Sequence, residues 1–300
     1  MTYFIDLLIS GITKGSIYAL IALGYTMVYG IIGLINFAHG EVYMLGAFAG
    51  LVAMGMLELA GISGITNLII AIGIAAAYCG VAGYSIEKVA YNHLRASNRL
   101  SPLISAIGMS IFLQNFVLIG KTSKQVSFPA NIPELEFLES LPFAITTADL
   151  TIIVATIAVM IGLTFFIKFT KVGLAMRAVS QDTKMAQLIG VNVNRIISST
   201  FILGSALGAI GALLIASSVE EIHFYMGFIA GLKAFTAAVL GGIGSIPGAV
   251  LGAYVLGLVE SFGAGYISSD YEDVFAFTIL VVILIFKPSG LLGRHVQEKV

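Results

Sequence analysis

No tryptophan occurs in this chain, cysteine occurs once, and charged residues make up only 10% of its 300 positions. Each shortage excludes something. With one cysteine, Cys79, set in an apolar run, there is no intramolecular disulfide and no cysteine metal site. Soluble domains run near 25% charged, so this chain could not cover a water-facing surface. The N-terminus lacks a basic region and apolar sequence continues past any plausible cleavage point, so no cleavable signal peptide is expected. A phosphate-binding loop is missing as well. Gly120-Lys121-Thr122 imitates the end of one, but Asn115 stands where the motif needs glycine, and no strand precedes it. Energy for any transport must come from a partner ATPase, an ion gradient or the substrate's own gradient.

What is present is hydrophobic sequence: 58% of residues, with a mean hydropathy of +1.02. The chain reads as an integral membrane protein of one domain, residues 1–300. Apolar spans fall at 7–35, 41–59, 67–87, 100–119, 149–168, 196–217, 232–259 and 274–292. About 20 helical residues cross ~30 Å of hydrocarbon. The expected fold is therefore an all-α polytopic membrane protein with about eight transmembrane helices, one or two of them broken or re-entrant. The 34 glycines, with Gly46/Gly50, Gly204/Gly208 and Gly248/Gly252 each four apart, favour backbones packed closely together. Gln114 and Asn115 are expected to hydrogen-bond between helices, and Glu58 and Glu87 to mark span ends.

Charge alternates along the chain. Basic residues gather at 88–99, 168–195 and 287–300, including Arg99, Arg294 and Lys299. Acidic ones gather at 121–149 (Glu134, Glu136, Glu139, Asp149), 218–231 (Glu220, Glu221) and 260–273 (Glu260, Asp270, Glu272, Asp273). The positive-inside rule places the basic segments in the cytoplasm, while the side of the N-terminus stays open.

Three features carry functional expectations. The first is the polar insert 168–195, where Leu174, Ala178, Met185 and Ile189, with Val179 and Ala186, recur at helical spacing. Arg177, Gln181 and Lys184 share another face, and Gly190 offers a helix C-cap. The insert reads either as an interfacial helix on lipid headgroups or as a docking helix whose polar face meets a soluble partner. The second is NFAHGE, Asn36 to Glu41, which interrupts apolar sequence. Asn36, His39 and Glu41 suit either an interfacial turn or a translocation pathway, since ionisable groups at membrane depth default to function. The third is GGIGSIPG, Gly241 to Gly248, where Gly242, Gly244 and Pro247 break the 232–259 span and leave backbone groups to be satisfied by protein or a wet cavity. Met44-Leu45-Gly46-Ala47-Phe48 echoes Val250-Leu251-Gly252-Ala253-Tyr254. Paired breaks of this kind point to a pathway, with both breaks facing one cavity.

Lys184-Met185-Ala186, followed after three residues by Gly190, has the spacing of the EAA-x3-G loop of bacterial ABC importer permeases, with Ala186 and Gly190 matching. Gly15 to Phe48, Gly173 to Asn192 and Phe235 to Glu260 resemble the LivH-type permeases of branched-chain amino acid ABC importers. The resemblance implies a bacterial inner-membrane permease subunit that is no enzyme and needs no cofactor. It implies a second related permease subunit, two ATP-binding-cassette ATPase subunits, an extracytoplasmic substrate-binding protein and surrounding lipid as partners, and no nucleic acid. It assigns coupling to the ATPase to the cytoplasmic loop 168–195, through Arg177, Asp182, Lys184, Ala186 and Gly190. The substrate would be a branched-chain amino acid. Urea or short amides, or a self-sufficient secondary transporter or channel, remain as alternatives.

Overall fold

A computed structural model describes residues 2–293 except 96, 99, 122, 130, 131, 134, 136, 137 and 139–142. The charges expected at Arg99, Glu134, Glu136, Glu139, Arg294 and Lys299 lie outside the described residues. Eleven α-helices are found among the described ones. They are α1 (Thr2–Ile32), α2 (His39–Leu59), α3 (Gly64–Ile86), α4 (Leu100–Gly120), α5 (Thr147–Phe169), α6 (Lys171–Gln181), α7 (Thr183–Leu188), α8 (Val193–Val219), α9 (Met226–Gly241), α10 (Ile246–Tyr266) and α11 (Glu272–Phe286). α3 runs on through a π-helical turn, Glu87–Tyr91, and a 3₁₀ turn, Asn92–Leu94. Two short strands, Val126–Ser127 and Glu221–Ile222, pair antiparallel.

Among the described residues, seven helices are long and apolar enough to cross a bilayer: α1, α2, α3 with its extension, α4, α5, α8 and α10. α9, at 16 residues, and α11, at 15, are shorter. The chain is a polytopic all-α membrane protein, as the hydropathy implies. The span read at 232–259 is two helices, α9 and α10, meeting at the turn 242–245.

Helices rather than strands form because in hydrocarbon every backbone group must be paired within its own segment. Burial then sorts the bundle. α1 and α8 are its centre, with 78% and 61% of their most apolar stretch buried, against 22% for α4 and 17% for α5. The outer helices turn residues such as Ile104, Phe116, Ile161 and Phe165 outward, for lipid or another protein to cover.

The small-residue spacings pack within the chain. Gly46 faces Ala209, Gly50 faces Leu213, and Gly204 lies against Gly24. Gly248 and Gly252 receive α9 at Gly241 and Ala237. Such contacts replace a hydrophobic driving force that is absent between helices in lipid. Gln114 does bond across helices, whereas Asn115 donates to Ile111 O in its own helix.

The glycine-rich break is bonded on both of its sides. Ser245 Oγ accepts from Gly248 N at 3.2 Å and caps α10, with Pro247 in the first turn, where its missing N–H costs nothing. The last carbonyls of α9 are met by residues 291–292: Leu291 N donates to Leu240 O at 2.8 Å and Leu292 N to Gly241 O at 2.9 Å. Gly242, at φ +103°, allows this approach, since a Cβ there would strike Gly293 N. Gly242→Ala is expected to cost at least about 1–3 kcal/mol from backbone strain, read as a lowered unfolding midpoint in detergent micelles.

The two ends of the bundle carry opposite charge. One gathers the α1 end at Gly30, the segment around Arg95, the 168–195 loop, the 242–245 turn and residues 287–293, through contacts such as Arg95 Nη1 donating to Asn194 Oδ1 at 2.8 Å. The other holds the N-terminus, where Tyr3 OH donates to Gly265 O and Ala144 N to Asp6 Oδ1. Phe128 N donates to Glu220 O at this end, beside the paired strands.

Candidate functional site

Helix α2 begins deep inside the bundle. His39, at its first turn, lies against Gly24 of α1 and close to Gly208 of α8, and its ring makes an edge contact with Tyr25 at 4.7 Å. Glu41, in the same first turn, is fully buried. Its Oε1 accepts from Gln114 Nε2 at 2.7 Å and from Ser110 Oγ at 3.0 Å, both from the middle of α4. The NFAHGE break is therefore an interior feature, and the headgroup-turn reading does not describe it. Asn36, also buried, accepts from Tyr91 OH at 2.9 Å, and its own carbonyl accepts from His39 N at 3.0 Å.

A second helix begins at the same place. The first turn of α9 brings Gly227 against Gly40, and Gly231 a turn later also touches Gly40. A Cβ at Gly227 would lie 2.8 Å from Glu41 Oε2. That oxygen and His39 Nε2 have no hydrogen-bond partner among the described residues. Two helix N-termini thus converge on a buried carboxylate, which their partial positive charge favours.

The pairing of breaks differs from the sequence expectation. NFAHGE faces the start of α9, not GGIGSIPG. Gly242 is buried under Ser289 and Gly293, Pro247 is exposed, and Gly244 borders a cavity of about 100 Å³ with Met27, Gly30, Met176, Arg177 and Ser180. Gly242, Gly244 and Pro247 are therefore at the basic end, away from Asn36, His39 and Glu41. The local echo between residues 44–48 and 250–254 does not place the two breaks around one cavity.

The 168–195 loop holds two helices, not one. Thr170 caps α6 by accepting from Gly173 N at 3.0 Å. Asp182 ends α6 and caps α7, its Oδ1 accepting from Lys184 N at 2.9 Å and Met185 N at 3.0 Å. Gly190, at φ +89°, closes α7, with Val191 N donating to Ala186 O. Ala186 is buried; Lys184 is exposed, and Arg177 Nη2 donates to Lys168 O at 3.2 Å. The apolar set splits: Val179 and Ala186 are buried, whereas Leu174 is 60% exposed, Met185 60% and Ile189 76%, with Leu188 beside them at 81%.

Two charge clusters escaped the sequence reading. Glu260, expected in an outer acidic segment, is fully buried in α10. It accepts from Tyr18 OH at 2.7 Å and faces Lys233 Nζ at 3.4 Å. Lys233 also reaches Glu272 at 3.3 Å and Asp273 at 2.8 Å, and Lys14 pairs with Glu272 at 3.0 Å. The second cluster surrounds Glu87, which is also fully buried. It pairs with Arg95 and with Lys88 at 3.3 Å and accepts from Ser198 Oγ at 2.9 Å. Burial pulls the Arg95 pKa below its ordinary value, but a guanidinium stays charged regardless. The available signal was an ionisable residue inside or bordering an apolar run, as at Lys233 and Glu87.

Residues 7–284 match the family described as branched-chain amino acid transport system / permease component. The chain is 50% identical to the high-affinity branched-chain amino acid transport system permease protein BraD of Pseudomonas aeruginosa, over 99% of this chain and 98% of that one. It is 47% identical to the permease protein LivH of Salmonella typhimurium, over the same shares. A solved structure, PsaBC from Streptococcus pneumoniae in complex with Fab, aligns with 96% of this chain and 93% of its own, at 12% identity and a TM-score of 0.49.

Proposed function

The chain belongs to the family of permease components of branched-chain amino acid transport systems, and from that premise we propose that it forms one half of a transmembrane pathway opened by ATP-hydrolysing partners. It is a multi-pass protein of the bacterial inner membrane and a transport subunit, and ATP hydrolysis and substrate capture belong to separate components of the system. We assign the other half of the pathway to a second, related permease subunit, and two ATPase subunits to the basic end. Lys88, Arg95, Lys168, Lys171, Arg177, Lys184, Arg195 and Lys287 at that end support a cytoplasmic orientation. The acidic end, with Glu220, Glu221 and Asp270, would meet the substrate-binding protein.

The observation that carries the coupling role is α7. A six-residue helix fixed by Asp182 and Gly190 presents Met185, Leu188 and Ile189 to the outside at the basic end of the bundle. Exposed apolar patches of this kind mark interaction sites. The docking surface is this apolar tip, rather than the polar face read from the sequence, with Arg177 and Lys184 at its rim, Asp182 and Gly190 holding its shape, and Ala186 seating it on the chain.

Substrate would pass the convergence of α2 and α9. A branched aliphatic side chain suits the apolar walls, and the Glu41 carboxylate suits the ammonium of an amino acid. Asn36 and His39 line the same break. Gly242, Gly244 and Pro247 shape the cytoplasmic mouth instead.

The test is co-purification. An ATPase that stays with the wild-type chain is expected to be lost with Leu188→Glu and Ile189→Glu, while the variant chains keep their wild-type melting behaviour. Retention of the ATPase by both variants would place the docking surface elsewhere. Uptake of leucine by this chain alone in liposomes would refute an ATPase-driven permease.

A further inference from the structure

We propose that the π-helical turn Glu87–Tyr91 is the joint through which movement of the 168–195 loop reaches the NFAHGE break. The inference rests on the proposed transport function and names the part of the chain that would carry its coupling.

The physical connection is continuous. Asn192 and Asn194 lie where the loop enters α8; Asn192 Oδ1 caps that helix by accepting from Arg195 N at 3.1 Å. Asn194 Oδ1 accepts from Arg95 Nη1, and Arg95 pairs with the buried Glu87. Glu87 also accepts from Ser198 of α8, so both ends of this contact are tied to the same helix start. From Glu87 the π turn leads to Ala90, whose carbonyl accepts from Ser105 Oγ of α4 at 2.9 Å, and to Tyr91. Tyr91 is buried, packs on Phe201 at 5.4 Å, and donates to Asn36. Asn36 in turn holds the first turn of α2, which carries His39 and Glu41.

Contiguity alone does not transmit anything; coupling needs an element with two discrete arrangements. The π turn supplies one. It holds an extra residue per turn relative to an α-helix, and π turns inside helices recur at functional sites. Rewinding it to α-helical bonding would shift the register by one residue and swing Tyr91 by about 100° around the helix axis. The Tyr91–Asn36 bond could not survive that rotation. Glu87 is placed to govern it, because it is the turn's first residue and its carboxylate is held from two sides by the loop's end. Pulling Asn194 and Ser198 together with the loop therefore pulls on the first residue of the turn, and the last residue releases or holds α2.

The test uses the full complex of both permease subunits, ATPases and binding protein in liposomes, with ATP hydrolysis and leucine uptake measured together. Tyr91→Phe removes one hydroxyl and fills the same space. It is expected to leave hydrolysis near the wild-type rate while lowering leucine taken up per ATP by about fivefold or more, the lower range of allosteric coupling. Glu87→Gln is expected to act in the same direction, and the double variant to be no worse than the worse single one, because both lie on one connection. A purely structural role would lower uptake and hydrolysis together, in step with the amount of assembled complex. That result, or an unchanged ratio in Tyr91→Phe, overturns the proposal alone. A wild-type complex without ATP-dependent uptake overturns the transport function first, and this inference with it.

Discussion

Lys233→Met is expected to destabilise the folded chain by about 3–5 kcal/mol, because it leaves the buried Glu260 carboxylate with only the Tyr18 hydroxyl as partner. The size follows from the position. Lys233 is 7% exposed in α9 and Glu260 is fully covered in α10, so neither charge can be recovered by water. Glu272 and Asp273 are less affected, since Glu272 retains Lys14 and Asp273 is half exposed. The cluster joins α1, α9, α10 and α11, and α11 is short and mostly exposed, so its N-terminal turn depends on these contacts. Removing both buried charges is a different experiment. Lys233→Met with Glu260→Gln keeps an acceptor for Tyr18 and leaves no buried charge unpaired, and replacing a buried ion pair by groups of similar volume is often nearly neutral. The double variant is expected to recover most of the loss, as seen in denaturant or heat unfolding in mixed micelles. A single variant as stable as wild type, or a double variant as weak as the single, would show that the pair does not hold these helices.

What the sequence made legible was local. Hydropathy marked the spans, charge alternation marked the two ends, and Gly190 announced a helix end that the structure contains. These depend on a few neighbouring residues and on the solvent. The meeting of Gly40 with Gly227 does not: it depends on where two helices begin in depth, and no periodicity encodes that. The echo between Met44–Phe48 and Val250–Tyr254 was therefore misleading, because similar glycine-rich runs pack alike without belonging to one cavity. Leu174, Met185 and Ile189 were legible as part of an apolar set, but not as separate from the buried Val179 and Ala186, since that depends on how the loop's two helices seat on the bundle. Asp182 was legible as polar within the loop, yet its cap splits the expected single helix. Glu87 and Glu260 were misplaced because an acidic residue at the border of an apolar run looks the same whether water or a lysine compensates it.

Glu41 separates structure from transport most sharply. Glu41→Leu is expected to lose at least about 1–3 kcal/mol of stability, because the buried Ser110 would be left without its acceptor, while the half-buried Gln114 would lose its own at smaller cost. Glu41→Gln keeps an oxygen for both donors and the same volume. Its fold and assembly are expected to persist. Its transport is not. The amide nitrogen must then occupy the Oε2 position, facing the first turn of α9, where a helix N-terminus favours negative charge and opposes a donor. The variant also loses the charge that would meet a substrate ammonium. Leucine uptake by the complex is therefore expected to fall about tenfold or more, equivalent to ~1.4 kcal/mol at the limiting step, while ATPase co-purification and melting stay at wild-type values. Uptake unchanged in Glu41→Gln would mean that the carboxylate serves only to hold α2 against α4. In the state described, Gly40, Gly227 and Gly231 close over this carboxylate, so on the proposed pathway substrate would reach it only when α2 and α9 part. Gly227→Ala adds a methyl that would lie 2.5 Å from Gly40 O and 2.8 Å from Glu41 Oε2, forcing that parting in the absence of ATP. It is the complementary variant: where Glu41→Gln weakens passage with the closure intact, Gly227→Ala is expected to raise uncoupled leakage of leucine from loaded liposomes.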